Sequence, residues 1–377
     1  MRLAGAKLLQ SRRRVGDWGC VMTESADRLR FEGLTCPVPL PQTRQVVLGH
    51  GGGGKMTHDL IERLFYPALG NPPLLVGDDA AVLSPPGPGK LALSTDSHIV
   101  APLFFPGGDI GRLAVCGTVN DLAMVGARPL WLAAGFVLEE GLELDVLRRV
   151  VDSMRAAAEE AGVLIVAGDT KVAERGKADG LFISTSGIGW IPEGREVSGA
   201  RARPRDVVIL SGPLGDHGIA VLAARGGLEL QVDVVSDLAP LNRLVERMLD
   251  ACPGLHAMRD PTRGGLGTSL NEIARQSRVC IHLEEGAIPV RREVQAACEL
   301  LGFDPLYVAN EGKLVAMVPP EAAADVVAAM HELDVGKGAT IIGEVREAPA
   351  GRVLMHTSIG GTRVVDVPAG ELLPRIC

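Results

Sequence analysis

Residues 109–138, DIGRLAVCGTVNDLAMVGARPLWLAAGFVL, contain a helix signal followed directly by a strand signal. The first part, residues 109–126, predicts a helix, and the apolar run LWLAAGFVL that follows predicts a strand. A second helix is predicted at residues 144–161, where Gly162 provides a stop signal and one apolar stripe runs along the helix: Leu147, Val150, Val151, Met154, Ala158 and Ala161. These elements predict a first half of the protein with its own core.

The same alternation extends to both sides of this stretch. A helix is predicted in KMTHDLIERLFYPALG, and strands are predicted in four apolar runs: LLVGDDAAVL, KLALSTDSHIV, VLIVAGDT and LFISTSGIGWI. The polar, Pro-containing segment 192–206 predicts a domain boundary. Beyond it DVVILSGPLG predicts a strand, terminal strands end the pattern, and helices are predicted near 216–224, 238–251, 266–277, 291–301 and 320–333.

The order of these elements predicts the fold class. Helices and strands do not alternate strictly enough for a doubly wound sheet. We therefore expect an α+β protein of two sandwich-like domains, each with a mixed or antiparallel sheet flanked by helices. The predicted bounds are 45–192 for the N-terminal domain and 206–369 for the C-terminal domain, with residues 1–44 expected to be poorly ordered.

Composition excludes several classes of protein. The 377 residues carry a net charge of -8 and only 3% aromatic residues, which argues against a nucleic-acid partner. No apolar run reaches the length of a membrane span, and no apolar core follows the early arginines as an export signal requires. Seven scattered cysteines without a paired spacing favour a reducing cytoplasm.

A glycine run, HGGGGK, stands directly before the first predicted helix. Its glycines can turn backbone N–H groups toward an anion, and Lys55 adds a positive charge. The run therefore predicts a phosphate-binding loop, although it lacks the Walker spacing; a flexible linker is the alternative. The candidate contacts are His50, Gly51, Gly52, Gly53, Gly54 and Lys55.

Five acids lie in or beside apolar runs, where aspartate is rare unless it is paired or binds a metal. At about 100° per residue, Asp121 points to the same face of its helix as Leu113 and Ala114. Carboxylates that converge beside a phosphate loop suit Mg²⁺ carried by a nucleotide. The metal candidates are Asp78, Asp79, Asp96, Asp121 and Asp169, and turn or cap roles are the alternative for each.

Two further positions carry candidate chemistry. Lys171 follows Asp169 at the end of a predicted strand, from where a cation can reach a transferring phosphoryl group; a solvated lysine is the alternative. The chain ends in ELLPRIC, and Pro374 favours an extended tail over residues 370–377. A mobile terminal thiol, Cys377, is suited to being loaded covalently and carried to a site, whereas an incidental cysteine is the bland alternative.

The motifs together resemble one family, the HypE proteins of [NiFe]-hydrogenase maturation. The resemblance runs from about residue 46 to residue 377 and is carried by these motifs: HGGGGK, STDS, APLFFPGGDIG, TVNDLAMVGA, GFVLEEG, GDTKV, SGPLGDHG, DPTRGG, NEGK and the terminal PRIC. It implies two α+β domains, a dimer formed through the N-terminal domains, and ATP held between the domains. The N-terminal domain would then be the one that binds ATP and dimerises.

The resemblance also implies a reaction and its partners. A HypF-like partner carbamoylates Cys377, the chain dehydrates this thiocarbamate to a thiocyanate with ATP, and the cyano group passes to iron on HypC- and HypD-like proteins. Glu311, in NEGK, is implied as the base; Asn120 and Thr170 are implied as nucleotide contacts. The glycine loop lacks the serine of the family's HGSGG, and the N-terminal extension is longer than the pattern requires.

Two alternatives stay open from the sequence. The first is another ATP-dependent synthetase of the same superfamily, such as one that makes selenophosphate, although the glycine loop has no cysteine for that chemistry. The second is a non-catalytic maturation scaffold for which ATP is only a structural switch.

Overall fold

The computed structural model describes residues 44–77, 80–226 and 233–368, together with Ile376. The sequence expectation for residues 1–44 falls outside this part of the chain except at Arg44. The carbonyl of Arg44 accepts a hydrogen bond from Leu144 N at 2.8 Å, so Arg44 is tied to the start of a later helix.

The first domain is built on a four-stranded sheet. Its strands are β1 (Gly89–His98), β4 (Arg128–Glu139), β5 (Leu164–Ala173) and β6 (Leu181–Pro192), in the order β1-β6-β4-β5. A two-stranded ribbon, β2 (Phe104–Phe105) and β3 (Gly108–Asp109), precedes the main helix. Strands β4 and β5 are parallel, whereas β6 is antiparallel to both β1 and β4. The sheet is therefore mixed, as predicted.

Helices cover one face of this sheet. They are α1 (Lys55–Leu60), α2 (Tyr66–Leu69), α3 (Pro72–Leu75), α4 (Ile110–Met124) and α5 (Leu144–Ala161); a π-helical turn, Ile61–Phe65, joins α1 to α2. Asp109 caps α4 because its Oδ1 accepts from Gly111 N at 2.7 Å. The apolar stripe predicted for α5 is buried, and Gly162 ends this helix in the left-handed conformation.

One predicted strand of the first domain is wrong. The run LLVGDDAAVL begins with the short helix α3, and its described residues 80–83 form no strand. Asn71 starts this helix because its Oδ1 accepts from Leu74 N at 3.1 Å, and prolines at the first helical positions supply no ladder donors. The capping chemistry therefore outweighs the apolar pattern of the run.

The second domain contains a seven-stranded sheet. The strands are β7 (Val207–Leu210), β8 (Ala257–Arg259), β9 (Cys280–Glu284), β10 (Val315–Val318), β11 (Thr340–Arg346), β12 (Arg352–His356) and β13 (Thr362–Val365). Their order is β13-β12-β9-β11-β7-β10-β8, and only the β12–β9 pair is parallel. The prediction of two α+β domains with mixed sheets is confirmed.

Helices lie on both faces of the second sheet. They are α6 (Asp216–Ala224), α7 (Asn242–Ala251), α8 (Gly265–Ser277), α9 (Arg292–Leu301) and α10 (Ala323–His331). One buried cluster contains Leu266 and Leu270 of α8, and a separate one contains Met248 of α7 and Met330 of α10. Helix α7 starts four residues later than predicted, because Pro240 disfavours helix in the residue before it.

Candidate active site

A small acidic cavity lies where β1 meets α4. Asp96 is on β1 and Asp121 is on α4, and Ser94 Oγ donates to Asp121 Oδ2 at 2.7 Å. The helix comes this close to the strand because Gly117 has no side chain; a Cβ there would lie 3.2 Å from Asp96 Oδ2. The first domain thus brings together two of the five predicted acids.

Residues of the second domain close this cavity, which has a volume of about 30 Å³. The loop between β8 and α8 contributes Asp260, Thr262 and Arg263, and Glu311 comes from the loop before β10. Sequence reasoning assigned no role to Asp260 or Arg263, although the DPTRGG motif contains both. The signal was available in that motif, but a charged residue beside a glycine turn is common in ordinary loops.

Two carboxyl groups of the cavity, those of Asp260 and Asp121, have pKa values above their usual range. Burial raises the pKa of Asp260 to about 7, and the charges of Asp121 and Asp96 add to the shift. Burial also raises the pKa of Asp121, against the opposing effect of the hydrogen bond from Ser94. Loss of solvation and mutual repulsion both disfavour the ionised carboxylates, so a cation that enters the cavity would stabilise their ionised form.

The NEGK loop that carries Glu311 is held by buried contacts. Glu311 is only 3% exposed, and its backbone N donates to Asp237 Oδ1 at 3.0 Å. The other carboxylate oxygen of Asp237 lies 3.3 Å from Lys313 Nζ in a buried ion pair. Gly312 permits this packing, because a Cβ there would lie 1.7 Å from the Asp237 carbonyl oxygen. The loop therefore presents Glu311 from a fixed backbone.

Asn120, which the resemblance implied as a nucleotide contact, makes structural hydrogen bonds instead. Its amide donates to the carbonyls of Ala239 at 3.1 Å and Glu311 at 3.3 Å, and its Oδ1 accepts from Leu241 N at 2.8 Å. These bonds use both amide hydrogens and link α4 to two segments of the second domain. Asn120 thus fixes the backbone of Glu311 against the helix that carries Asp121.

The glycine run forms a shaped loop. A 3-10 turn spans Leu48–Gly51, and Gly51 packs so tightly on β5 that a Cβ would lie 2.5 Å from Val172 N. His50 is buried; its Nδ1 accepts from Val47 N at 3.0 Å, and burial lowers its pKa. Thr57 Oγ1 accepts from Gly53 N at 2.9 Å. Thr57 thus supplies a hydroxyl to a loop that lacks the family's serine.

A larger cavity of about 280 Å³ lies beside this loop. It is bounded by Gly51 and Gly53 on one side and by Asp169, Thr170 and Lys171 of β5 on another, with apolar side chains between them. Gly52, Gly54 and Lys55 are exposed at the start of α1, and the cavity lining does not include them. The structure therefore brings the loop together with three predicted residues of β5.

The expected convergence of Asp169 with Asp96 and Asp121 is wrong within this chain. Asp96 pairs with Thr185, which pairs with Ala134, which pairs with Gly168, so Asp96 and Asp169 lie on opposite edge strands, about 14 Å apart. Because Asp169 is one residue beyond that row, its side chain points to the other face of the sheet.

Asp169 has a nearer partner than the other acids. Lys171 Nζ donates to Asp169 Oδ1 at 2.9 Å, and this bond holds the pKa of the exposed carboxyl below its usual range. Lys171 is therefore placed beside a carboxylate at the mouth of the larger cavity.

The described residues contain no cluster of three or more His, Cys, Asp or Glu side chains close enough to hold a metal ion. Asp78 and Asp79, two of the predicted metal ligands, lie outside the described residues. Asp96 and Asp121 supply carboxylate oxygens of the kind Mg²⁺ prefers, but the described part of the site is an incomplete set of ligands.

The end of the chain returns to the fold at Ile376. Its side chain is 3% exposed and belongs to a buried cluster that includes residues of both domains, and its carbonyl accepts from His217 Nε2 at 2.9 Å. The expectation that the last residues leave the fold is wrong for this residue, because apolar burial holds it. Cys377, the predicted reactive thiol, lies outside the described residues.

Within the part of the chain that the structure describes, the face of the first sheet opposite α4 carries exposed apolar side chains. Leu91 and Leu93 of β1 are 61% and 76% exposed on this face, and Val137 of β4 is also exposed. Hydroxyl groups continue the same face, with Ser97 Oγ 2.9 Å from Ser184 Oγ. Among the described residues, no helix is both long and apolar enough to span a membrane.

Comparison with known proteins places the chain in a family. It matches the family of AIR synthase related proteins, in the N-terminal domain over residues 77–191 and in the C-terminal domain over residues 203–356. The carbamoyl dehydratase HypE of Azotobacter vinelandii is 55% identical over 332 residues, which cover 88% of this chain and 97% of that protein.

Solved structures agree with this match. The crystal structure of the hydrogenase maturation protein HypE in complex with ATP has 52% identity and a TM-score of 0.84, and the match covers 88% of this chain and 99% of that one. HypE from the HypE–HypF complex has 48% identity and a TM-score of 0.72 over 82% of this chain and 99% of that one. The two domains, the motifs and these similarities together show that the chain belongs to the HypE family of hydrogenase maturation proteins.

Proposed function

We propose that this chain is an ATP-dependent carbamoyl dehydratase that acts on its own C-terminal cysteine. The S-carbamoyl group on Cys377 and ATP give an S-cyano group, ADP and phosphate, and this supplies the cyanide ligand of [NiFe]-hydrogenase iron. The observation that carries the proposal is the acidic cavity, where Glu311 of the second domain faces Asp96 and Asp121 of the first. The name of the relative from Azotobacter vinelandii, carbamoyl dehydratase HypE, supports the same activity.

The chemistry needs an activated oxygen and a base. An amide oxygen leaves poorly as hydroxide, but transfer of the γ-phosphoryl group of ATP to that oxygen makes phosphate the leaving group. The carbamoyl nitrogen must lose both of its protons as the C≡N bond forms: Glu311 accepts one, and the departing phosphate carries the other. Arg263 lines the same cavity, and its guanidinium neutralises charge that develops on the phosphoryl oxygens.

The nucleotide contacts are proposed from the larger cavity. The backbone of Gly51 and Gly53, Thr170 and Lys171 offer donors at its rim, while Phe136 and Ile165 supply an apolar wall of the kind a purine base requires. The HypE structure that contains ATP supports binding of this nucleotide. Lys171→Met should then weaken ATP binding at least about tenfold, as expected for a lost charge-assisted hydrogen bond.

Magnesium is proposed to accompany the nucleotide. Asp96 and Asp121 would hold it, together with Asp78 or Asp79. Asp260 lines the same cavity, so the charge of a bound cation would lower the raised pKa of its carboxyl. When bound, Mg²⁺ neutralises phosphate charge. Chelation of the metal should abolish dehydration while added Mg²⁺ restores it, and unchanged turnover in excess chelator would contradict this assignment.

The proposed partners follow the family. A HypF-like carbamoyltransferase loads Cys377, consistent with the solved HypE–HypF complex, and HypC- and HypD-like proteins receive the cyano group. The sheet face on which Leu91 and Leu93 are exposed supports a homodimer formed by the N-terminal domains. A cytoplasmic location fits the buried free thiols of Cys116, Cys252, Cys280 and Cys298.

The deciding experiment is mass spectrometry of the C-terminal peptide after incubation with the HypF-like partner, carbamoyl phosphate and ATP. Cys377 should gain a carbamoyl group that then loses one water only when Mg²⁺ and ATP are present. Glu311→Gln should still be loaded and bind ATP but should not lose water. If Glu311→Gln dehydrates at the normal rate, Glu311 is not the base. If Cys377 is loaded but the wild-type protein never dehydrates it, the scaffold alternative replaces the dehydratase; if Cys377 is never loaded, the dehydratase proposal fails.

A further inference from the structure

His217 is a buried imidazole that the chemistry above does not use. It lies in α6, it is 0% exposed, and both of its ring nitrogens have hydrogen-bond partners. Nδ1 lies 2.9 Å from Ser236 Oγ, and Nε2 lies 2.9 Å from the carbonyl oxygen of Ile376. Ile376 is one residue before the cysteine that is proposed to carry the substrate.

The partners of His217 fix its tautomer. A carbonyl oxygen can only accept, so Nε2 carries the proton and donates it to Ile376. Leu238 N donates to Ser236 Oγ at 3.1 Å, which leaves the Ser236 hydroxyl hydrogen to donate to Nδ1. The chain of donors therefore runs in one direction, from Leu238 N through Ser236 and His217 to the backbone of Ile376.

The site around the imidazole is shaped to keep it there. The ring of Phe105 meets His217 edge-on, with ring centroids 5.4 Å apart. The Ile376 side chain belongs to the same buried cluster as Phe105, Leu238 and Ala309. A hydrogen bond to the backbone and burial of the side chain thus act on the same residue.

The segment that holds His217 is also the segment that holds Glu311. Ser236 contacts the imidazole, and its neighbour Asp237 accepts from Glu311 N at 3.0 Å. Two adjacent residues, Ser236 and Asp237, therefore hold both the imidazole that binds Ile376 and the backbone of Glu311, the proposed base. Because Cys377 is bonded to Ile376, this arrangement limits how far the thiol can move from the fold.

We propose that His217 is a positioning residue that latches the C-terminal tail in its docked state for dehydration. The latch acts through the Ile376 carbonyl, which is not one of the reacting atoms. It must open for the HypF-like partner to reach Cys377, so it affects dehydration and loading in opposite directions. This inference rests on the proposed function only for that last effect; docking itself can be measured without any chemistry at Cys377.

Carboxypeptidase digestion tests docking directly. The bond that releases Cys377 contains the Ile376 carbonyl held by His217, so cleavage requires the latch to open, and its rate follows the open population when opening is fast. His217→Ala should speed release of Cys377 at least about fivefold, as expected for the loss of one net hydrogen bond. Ser236→Ala should also speed it, and His217→Gln should restore slow release because its amide nitrogen can donate to the same carbonyl.

A matched variant separates latching from general loss of stability. His256 is likewise buried and hydrogen-bonded, to Asp206 Oδ2 at 2.9 Å, whereas Ile376, the described residue of the tail, is bonded to His217. His256→Ala should therefore leave the rate of Cys377 release unchanged. Equal rates for His217→Ala and the wild-type protein, or equal acceleration by His256→Ala, would overturn the latch.

Kinetics then test its role in the reaction. With Cys377 already carbamoylated, His217→Ala should slow single-turnover dehydration at least about fivefold, while its loading by the HypF-like partner should be as fast as in the wild-type protein or faster. Faster tail release without slower dehydration would show a latch that the reaction does not use, and would overturn the positioning role. If the wild-type protein does not dehydrate at all, the proposed function fails, and the digestion result still decides whether the tail docks.

Discussion

Replacement of Gly312 by alanine gives a sharp test of how the NEGK loop is held. An added Cβ would lie 1.7 Å from the carbonyl oxygen of Asp237, whereas such a carbon and oxygen normally stay at least about 3.3 Å apart. The loop and the Asp237 segment must therefore separate by about 1.6 Å. Overpacking of this kind typically lowers the free energy of unfolding by about 1–3 kcal/mol. Here it also distorts the hydrogen bond that Glu311 N donates to Asp237 Oδ1.

The expected loss is measurable by calorimetry. For a domain of this size, a loss of about 2 kcal/mol lowers the melting temperature by about 4–8 °C. Gly254→Ala is the matched control, because a Cβ at Gly254 meets nothing within 4 Å and its φ is not in the left-handed region. It should shift the melting temperature by less than about 2 °C. If Gly312→Ala melts within 2 °C of the wild-type protein, the close contact does not exist in solution.

The same shift of the loop should also slow the proposed dehydration. Gly312→Ala moves the backbone of Glu311, so dehydration should slow by at least about tenfold while ATP still binds with its normal affinity. Normal dehydration by a variant that has lost stability would refute the argument that this contact positions the base.

Three further outcomes are expected. Asn120→Ala leaves two carbonyls and one N–H without the partners they have now, so it should destabilise the protein by about 1–3 kcal/mol in calorimetry; a neutral variant would contradict its linking role. Burial raises the pKa of Asp216 from 3.8 to about 6, so ionisation of this carboxyl destabilises the folded state. The destabilisation is absent below pH 3.8 and reaches its full size above pH 6. The melting temperature of Asp216→Asn relative to the wild-type protein should therefore rise between pH 4 and pH 7, and a flat or falling difference would contradict the sign. Leu93→Asp should convert the proposed dimer to a monomer in light scattering, whereas Val364→Asp, on an exposed strand of the second domain, should not.

The fold was predicted from hydrophobic periodicity and from residues that start or end helices. The helix at 144–161 matches the observed Leu144–Ala161, because its apolar stripe and its stop glycine are both local signals. The strand predicted in LLVGDDAAVL is wrong for an equally local reason, because Asn71 and the prolines after it start a short helix there. An apolar run of this length does not distinguish a helix from a strand. Helix α7 was predicted to start too early because the effect of Pro240 was not weighed against the apolar residues around it.

The site was less predictable than the fold. Glu311 and Asp121 were singled out by motif and by helix face, and they share a cavity. Asp169 was grouped with Asp96 because both follow apolar runs, but sequence does not give strand order, and these acids lie on opposite edge strands. Asp260 was missed because its significance depends on the acids around it, which come from the other domain.

The amino-acid sequence alone was enough to predict two α+β domains, the motifs of the HypE family and the candidate reactive cysteine, Cys377. These follow from local chemistry, since helix faces, caps and short motifs are readable along one segment. Three features became visible only in the packed fold: Asp260 and Arg263 join Glu311 in one cavity, Asn120 links the domains, and His217 donates to Ile376, which is 159 positions away in the sequence. Each of these depends on which distant segments pack together, and packing is a property of the whole chain that no single segment encodes.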